Sequence, residues 1–368
     1  MLNYSSWIEV DLKQFRKNIL LIKSYIKDAF FCLCVKANAY GHGLIEIAKV
    51  AENEKVDYLA VANLMEGIKL REANIKLPIL VLGTFHDDQI KDLIDYDLEI
   101  TISSYFKAKL VQDYCTKYNK KCKIHLKVDT GMGRIGVKPT TAISLYKYIK
   151  DQKCFIIKGI YSHLACADQK EHPINNIQIK IFDDFLNKIK PDKSTILHIA
   201  NTAYLCNFEN DLKDMVRLGA LPFGCYSKDL PKKFENIKSI FSVKSKVSYF
   251  KVVEKDKGIS YGYSFITKAK SQIVTIPVGY GDGYSRSLSN IGSVLIRGKK
   301  HPIIGTICMD QFMVDVSNTD AYIGDEVVLI GRQKDKEITI KEIADECKTI
   351  SYEILCLFNE RLPRVYID

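Results

Sequence analysis

The sequence predicts an α/β chain in two parts, a closed parallel barrel followed by a mostly β module. Three observations lead there. Short apolar runs recur eight times before residue 233, with amphipathic stretches between them, the rhythm of βα units in a parallel sheet. Eight such units over about two hundred residues suit a (β/α)8 barrel of the TIM type better than an open sheet. From Phe234 onward the texture changes to strand-like runs separated by Gly, Pro, Asn and Asp, with little helix. The division that follows is 12–233 for the barrel and 234–368 for the mostly β C-terminal domain. The alternating stretch within 1–11 is open to joining the second part, a choice that periodicity does not make.

Residues 7–12 alternate as a strand does, and 12–26 place Leu12, Phe15, Ile19 and Ile22 at helical spacing. The eight apolar runs are 30–35, 58–62, 78–82, 98–102, 122–128, 155–161, 195–199 and 214–218. Stretches 44–51, 64–73, 90–96, 142–149 and 174–189 read as the helices between them. The last unit is the weakest, because 203–210 is short for a helix. In the second part 242–253, 272–278, 293–296, 301–308, 312–316 and 326–330 read as strands, and 341–347 and 352–358 as helices.

Composition narrows the function. At 368 residues the chain can bury a large core, and its net charge of +10 raises the question of nucleic acid. The lysines are scattered, as at Lys117, Lys120, Lys121 and Lys123, without a basic block interleaved with aromatics, so they describe a solvated face. Eleven cysteines, an odd count with no C-x-x-C pair, argue for thiols in a reducing compartment rather than disulfides or a metal site. Cys32, Cys34, Cys154, Cys308 and Cys356 fall in apolar strands or helices. The N-terminal residues lack the basic and apolar segments of a signal peptide, and no apolar run approaches a membrane span. A cytoplasmic protein is expected, with neither membrane nor nucleic acid as partner.

Polar residues gather where such a barrel does its chemistry, at the C-terminal ends of its strands. Lys36 follows the first predicted strand, and the 129–134 loop follows the fifth. His163 ends the sixth, Asn201 and Thr202 follow the seventh, and Arg217 with Gly219 closes the eighth. Scatter by chance would send about half of these groups to the opposite rim. The run VKANAYGHG (35–43) organises this end of the barrel. A lysine at the tip of a buried strand sits in a partly dry pocket, loses its proton more easily, and can attack a carbonyl to form a Schiff base.

That nonapeptide resembles the pyridoxal 5′-phosphate (PLP) lysine motif of bacterial alanine racemases. The likeness continues in family order through HLKVDTGMGRIG (125–136), YSHLACAD (161–168), HIANTA (198–203) and VRLGALPFG (216–224). It then extends past the barrel, through ISYGYSF (259–265), VGYGDGYSR (278–286), GTICMDQ (305–311) and TISYEILCLFNERLPRVY (349–366). Essentially the whole chain is covered. A phosphate ester needs amides and hydroxyls, often from the loops after the seventh and eighth barrel strands, and Tyr40, Thr202, Gly219 and Ala220 meet that need. Arg217 is the strand-eight candidate for the pyridine nitrogen. Since arginine does not readily give up a proton, that choice favours racemisation over amino transfer.

The resemblance implies an alanine racemase that supplies D-alanine for peptidoglycan, working as a homodimer with shared active sites. Lys36 would hold PLP and act as one base; Tyr261, presented by the second subunit, would act as the other. Two bases on opposite faces of the α-carbon are what inversion requires. A free tyrosine titrates near pKa ~10, and a hydrogen-bonded chain of His163 and Arg217 would tune it. Cofactor contacts would come from Tyr40, His163, Asn201, Thr202, Arg217, Gly219, Ala220 and Tyr352. Arg134 and the Met309 amide would hold the substrate carboxylate, and Lys127 would be carbamylated so as to orient Arg134. Asp168, Tyr280 and Arg286 would line an access corridor.

Two positions depart from the family pattern. Thr202 stands for a phosphate-binding serine and keeps its hydroxyl, whereas Thr306 stands where relatives place an arginine and makes the outer corridor less basic. The alternative is a serine or broad-specificity racemase on the same scaffold, against which the bulk of Tyr352 argues. A barrel PLP decarboxylase would lack the opposed tyrosine and GTICMDQ. A PLP-binding regulatory protein without turnover would lack the β domain.

Overall fold

The computed structural model describes residues 4–208, 212–226 and 230–368. Strand β1 (Ser6–Asp11) leads into the helix Leu12–Ile26, whose first turn is capped by the Asp11 carboxylate accepting from Gln14 N at 2.7 Å. Eight strands follow as β2 (Phe30–Cys34), β3 (Tyr58–Val61), β4 (Ile79–Val81), β5 (Glu99–Ile102), β6 (Cys122–Lys127), β7 (Phe155–Tyr161), β8 (Ile196–His198) and β9 (Met215–Leu218). They run parallel in sequence order, and β9 pairs back onto β2. Between β8 and β9 contact is sparser, carried by Asp214 N to Leu197 O at 2.9 Å and Arg217 N to Ala200 O at 3.0 Å. The result is a nearly closed barrel wrapped in helices.

Each predicted barrel strand appears within two residues of its expected bounds. The differences lie at the strand tips, where the chain leaves the ladder. The short last helix is real and spans Thr202–Asn207, with Asn201 capping it by accepting from Tyr204 N at 2.9 Å. Residue 210, the predicted end of that segment, lies outside the described residues.

The second part is built from β10 (Phe241–Lys246), β11 (Tyr249–Val253), β12 (Gly258–Ile259), β13 (Phe265–Ile266), β14 (Ser271–Ile276), β15 (Ser293–Ile296), β16 (Lys299–Ile304), β17 (Phe312–Asp315), β18 (Glu326–Gln333), β19 (Lys336–Ile338) and β20 (Arg364–Ile367). The stretch 242–253, expected as one strand, is two. β10 pairs with β1 and β18, β11 pairs with β14, and the chain turns between them. The choice that periodicity left open goes to the second sheet: β1 lies between β10, antiparallel, and β20, parallel. The chain therefore starts in one body, builds the other, and returns.

His42 shows how tightly the two parts pack. Its ring stacks on Phe223 of the barrel at 4.6 Å and meets the edge of Phe241 in β10 at 5.0 Å. Its Nδ1–H donates to Ala39 O at 2.8 Å. Burial pushes the imidazole down to about 4, so this histidine of the VKANAYGHG run is a neutral packing group. All eleven cysteines are free thiols; Cys32, Cys34, Cys115, Cys122, Cys206 and Cys225 are buried, and Cys356 is exposed. Among the described residues no helix is long and apolar enough to cross a membrane.

Candidate active site

Beyond β2 the chain does something costly. Ala37, Asn38, Ala39 and Tyr40 all take positive φ, between 52° and 54°, a left-handed turn that costs about 1–2 kcal/mol for each such residue. Hydrogen bonds hold it: Ala37 N donates to Glu66 Oε1 at 2.7 Å, and the Asn38 side chain accepts from Leu44 N at 2.8 Å. Gly43, at φ +104°, closes the turn where any Cβ would fall 1.9 Å from the Tyr366 hydroxyl. The turn leaves Lys36 at the strand tip and swings Tyr40 over Gly219, whose own missing Cβ would lie 2.4 Å from the Tyr40 hydroxyl. Backbone strain stored beside a reactive group marks a site whose geometry matters.

Lys36 and Tyr40 open into a cavity of about 570 Å³ at the C-terminal rim of the barrel. Lys127 and Arg134 reach it from β6 and its loop, His163 from beyond β7, Asn201 and Thr202 from beyond β8, and Arg217, Gly219 and Ala220 from β9. The C-terminal domain contributes Tyr352, whose ring lies 6.1 Å from that of Tyr40. The predicted rim is thus a single cavity.

Its charge is one-sided. Lys36, Lys127, Arg134 and Arg217 line it, and no carboxylate does among the described residues. Such a wall favours an anionic occupant. Arg217 is buried and held through its two Nη groups: Nη2 donates to Ser162 O at 2.8 Å and to His163 Nδ1 at 3.2 Å, and Nη1 to His198 Nδ1 at 2.8 Å. Its guanidinium lies 5.1 Å over the Tyr161 ring, as does the Lys127 amine. Burial, then the nearby cations Arg217, Arg134, Lys127 and Lys36, push His163 well down, so it stands neutral. The Thr202 hydroxyl accepts from Gly219 N at 3.1 Å. Hydroxyls at one end, a buried guanidinium along the wall and a lysine at the tip fit a flat, phosphorylated aldehyde such as PLP.

Other expected residues lie elsewhere in the same protomer. Tyr261 and Met309 line a separate hollow of about 520 Å³ on the C-terminal domain, which shares no lining residue with the barrel cavity. Tyr261 and its neighbour Tyr263 are 73% and 71% exposed. Asp168, Tyr280 and Arg286 are exposed and line neither cavity. Several cavity residues carry no role that the sequence pattern assigns: Cys34, Leu82, Gly83, Tyr161 and Ile350. For Tyr161 a signal does exist, since it ends the predicted run 155–161, at the strand tip two residues before His163.

Thr306, expected to make an outer corridor less basic, here braces a backbone turn. The turn bearing Tyr261 takes positive φ at Ser260, Gly262 and Tyr263. Thr306 pins it: the Thr306 hydroxyl donates to Tyr261 O at 3.1 Å and meets Ser264 Oγ at 3.1 Å, while Ser260 Oγ donates to Thr306 O at 2.6 Å. Thr306→Val, equal in shape but without the hydroxyl, is expected to lower kcat about tenfold, because it leaves partly buried polar groups unpaired and frees the turn. Thr306→Ser should retain activity. Equal steady-state rates for the valine variant and the unsubstituted protein would remove this role.

Fold and cavity together define a parallel barrel of the enzyme-bearing kind, with a cavity at the carboxyl ends of its strands whose wall the β domain completes. Comparison with known proteins narrows this. Residues 10–227 match the profile of the alanine racemase N-terminal domain, and residues 240–366 that of the alanine racemase C-terminal domain. The chain is 41% identical to an alanine racemase of Halothermothrix orenii, over 98% of this chain and 96% of that protein. With one of Methanococcus maripaludis it is 36% identical over the full length of both. A solved alanine racemase of Clostridium difficile 630 superposes with a TM-score of 0.95 at 35% identity, covering 100% of this chain and 97% of that one. The chain belongs to the alanine racemase family and is an isomerase.

Proposed function

We propose that this protein interconverts L- and D-alanine, using PLP held at the barrel mouth and two bases supplied by two copies of the chain. The observation that carries the reading is the cavity itself, where one lysine at a strained strand tip stands among hydroxyls and cations, with no acid among the described residues. Bound there, PLP supplies the electron sink that lets an amino acid release its α-hydrogen as a proton. Tyr40, Asn201, Thr202, Gly219, Ala220 and Tyr352 would hold its phosphate, and His163 and Arg217 its ring. Arg134 makes no hydrogen bond or ion pair within the described residues, which leaves it available for a substrate carboxylate; the Met309 amide of a second copy would share that task.

Lys36 Nζ would take or return a proton on one face of the α-carbon, and the Tyr261 hydroxyl of the second copy on the other. The exposed Tyr261, Tyr263, Ile266 and Met309 give the C-terminal domain an apolar face suited to a homodimer. Asp168, Tyr280 and Arg286 would line the access corridor. The bulk of Tyr352 favours a methyl-sized side chain. We divide the chain at 12–233 and 234–368, with 1–11 joined to the latter, and place the enzyme in the cytoplasm, supplying D-alanine for peptidoglycan. The test is direct: purified protein with PLP is incubated with L-alanine and, separately, L-serine. Loss of optical rotation with L-alanine supports the reading; unchanged rotation despite bound cofactor overturns it.

Lys127 is proposed to carry a carbamate. Burial, then the Arg217 and Arg134 guanidinium groups, push its amine down to about 8. Below that pH the amine is protonated and unreactive. Above it, the free amine adds carbon dioxide to form a carbamate anion and releases one proton. At fixed dissolved carbon dioxide, occupancy should therefore rise as pH climbs through about 8. Carbon-13 NMR in labelled bicarbonate should show a carbamate signal that Lys127→Ala lacks. The same spectrum from both proteins would dismiss the modification.

A further inference from the structure

We propose that Glu99 is a positioning residue for Arg217, acting across the barrel interior through His125 and His198. The four side chains come from β5, β6, β8 and β9 and form one line: Glu99 Oε2 to His125 Nε2 at 2.7 Å, His125 Nδ1 to His198 Nε2 at 3.0 Å, and His198 Nδ1 to Arg217 Nη1 at 2.8 Å. All four are buried, Glu99 at 2% exposure. β7 stands between β6 and β8, and the two imidazoles meet there only because Gly159 has no side chain. A Cβ on Gly159 would lie 2.3 Å from His125 Nδ1.

The line can be drawn in one direction only. A guanidinium donates and cannot accept, so His198 Nδ1 carries a lone pair and its proton is on Nε2. That proton faces His125 Nδ1, which must accept, leaving the His125 proton on Nε2. The Glu99 carboxylate accepts that one. Both histidines are therefore neutral Nε2–H tautomers, and the Glu99 contact is a charge-assisted hydrogen bond rather than an ion pair. Burial, reinforced by the Arg217 guanidinium, pushes His198 well down, in keeping with its neutral state. Each end enforces the other. Without an acceptor at Glu99, His125 is free to carry its proton on Nδ1, which would set N–H against N–H at His198 and disturb the bond that seats Arg217 in the cavity wall.

The link to turnover rests on the proposed role of Arg217 at the cofactor, but the hydrogen-bond line belongs to the chain itself. The test uses full-length protein labelled with nitrogen-15 histidine, with and without PLP. His125 and His198 should both appear as neutral Nε2–H tautomers in either state. Finding either one as the Nδ1–H form or as a cation overturns the proposal, whatever the enzyme does with alanine. In Glu99→Leu the tautomers should become mixed and kcat for alanine should fall about tenfold, with KM moving less. Glu99→Gln, whose amide oxygen still accepts from His125, should preserve both, which a loss of mere packing would not explain. Leucine and glutamine variants that lose kcat equally with tautomers unchanged, or that both match the unsubstituted protein, overturn the proposal. Should the leucine variant fail to fold, the spectra of the unsubstituted and glutamine proteins decide it.

Discussion

Lys36→Ala is expected to abolish alanine racemisation, a loss of at least about 10³-fold, and to remove the visible absorbance of cofactor held through this lysine. Two amines line the cavity, and they are not equivalent. Lys127 is buried on its strand with its amine over the Tyr161 ring, whereas Lys36 stands at the strand tip and makes no hydrogen bond or ion pair among the described residues. The fold should tolerate the change, because what anchors position 37 is a backbone bond from Ala37 N to Glu66. Absorbance spectra and optical rotation check both parts. A variant that keeps colour and turnover would end the assignment of the cofactor to Lys36.

The second large effect concerns Tyr261. Tyr261→Phe should slow racemisation by about 10²- to 10⁴-fold, the usual contribution of a positioned proton donor or acceptor, while leaving the cofactor bound. Because the two enantiomers are equal in free energy, kcat/KM must fall equally in both directions. The asymmetry will appear instead in exchange. In deuterated water one enantiomer should still exchange its α-hydrogen without inversion, since Lys36 alone can remove and return a proton on its own face. Tyr261 lies outside the cavity of its own protomer, so Tyr261→Phe mixed with Lys36→Ala should regain activity after subunit exchange, each hybrid dimer having one intact site. If exchange is demonstrated and activity stays absent, the shared site is wrong.

Much of this architecture is legible in the order of amino acids. Barrel strands are buried on both faces and therefore read as short apolar runs, which is why β2 to β9 fall close to their expected bounds. The cavity is legible for a related reason: residues such as Lys36, His163 and Thr202 interrupt those runs at one end. Less is legible beyond the barrel. The two-residue strands β12 and β13 are too short to show a period, and the break between β10 and β11 lies within continuous strand-like sequence. His42 sits in the most informative run of the chain, yet packs between Phe223 and Phe241, which are distant in sequence.

The chain alone determined that strands and helices alternate in the barrel, to within a residue or so where each barrel strand ends, and which polar groups reach the barrel mouth, because these follow from the local period of apolar residues and from turns a few residues long. Only the tertiary structure decided which sheet receives β1, that Tyr261 lies outside the cavity of its own protomer, and that Glu99, His125, His198 and Arg217 meet in one line. Those outcomes depend on strand order, register and the space left by Gly159, quantities set by contacts between residues far apart in sequence, which no local pattern encodes.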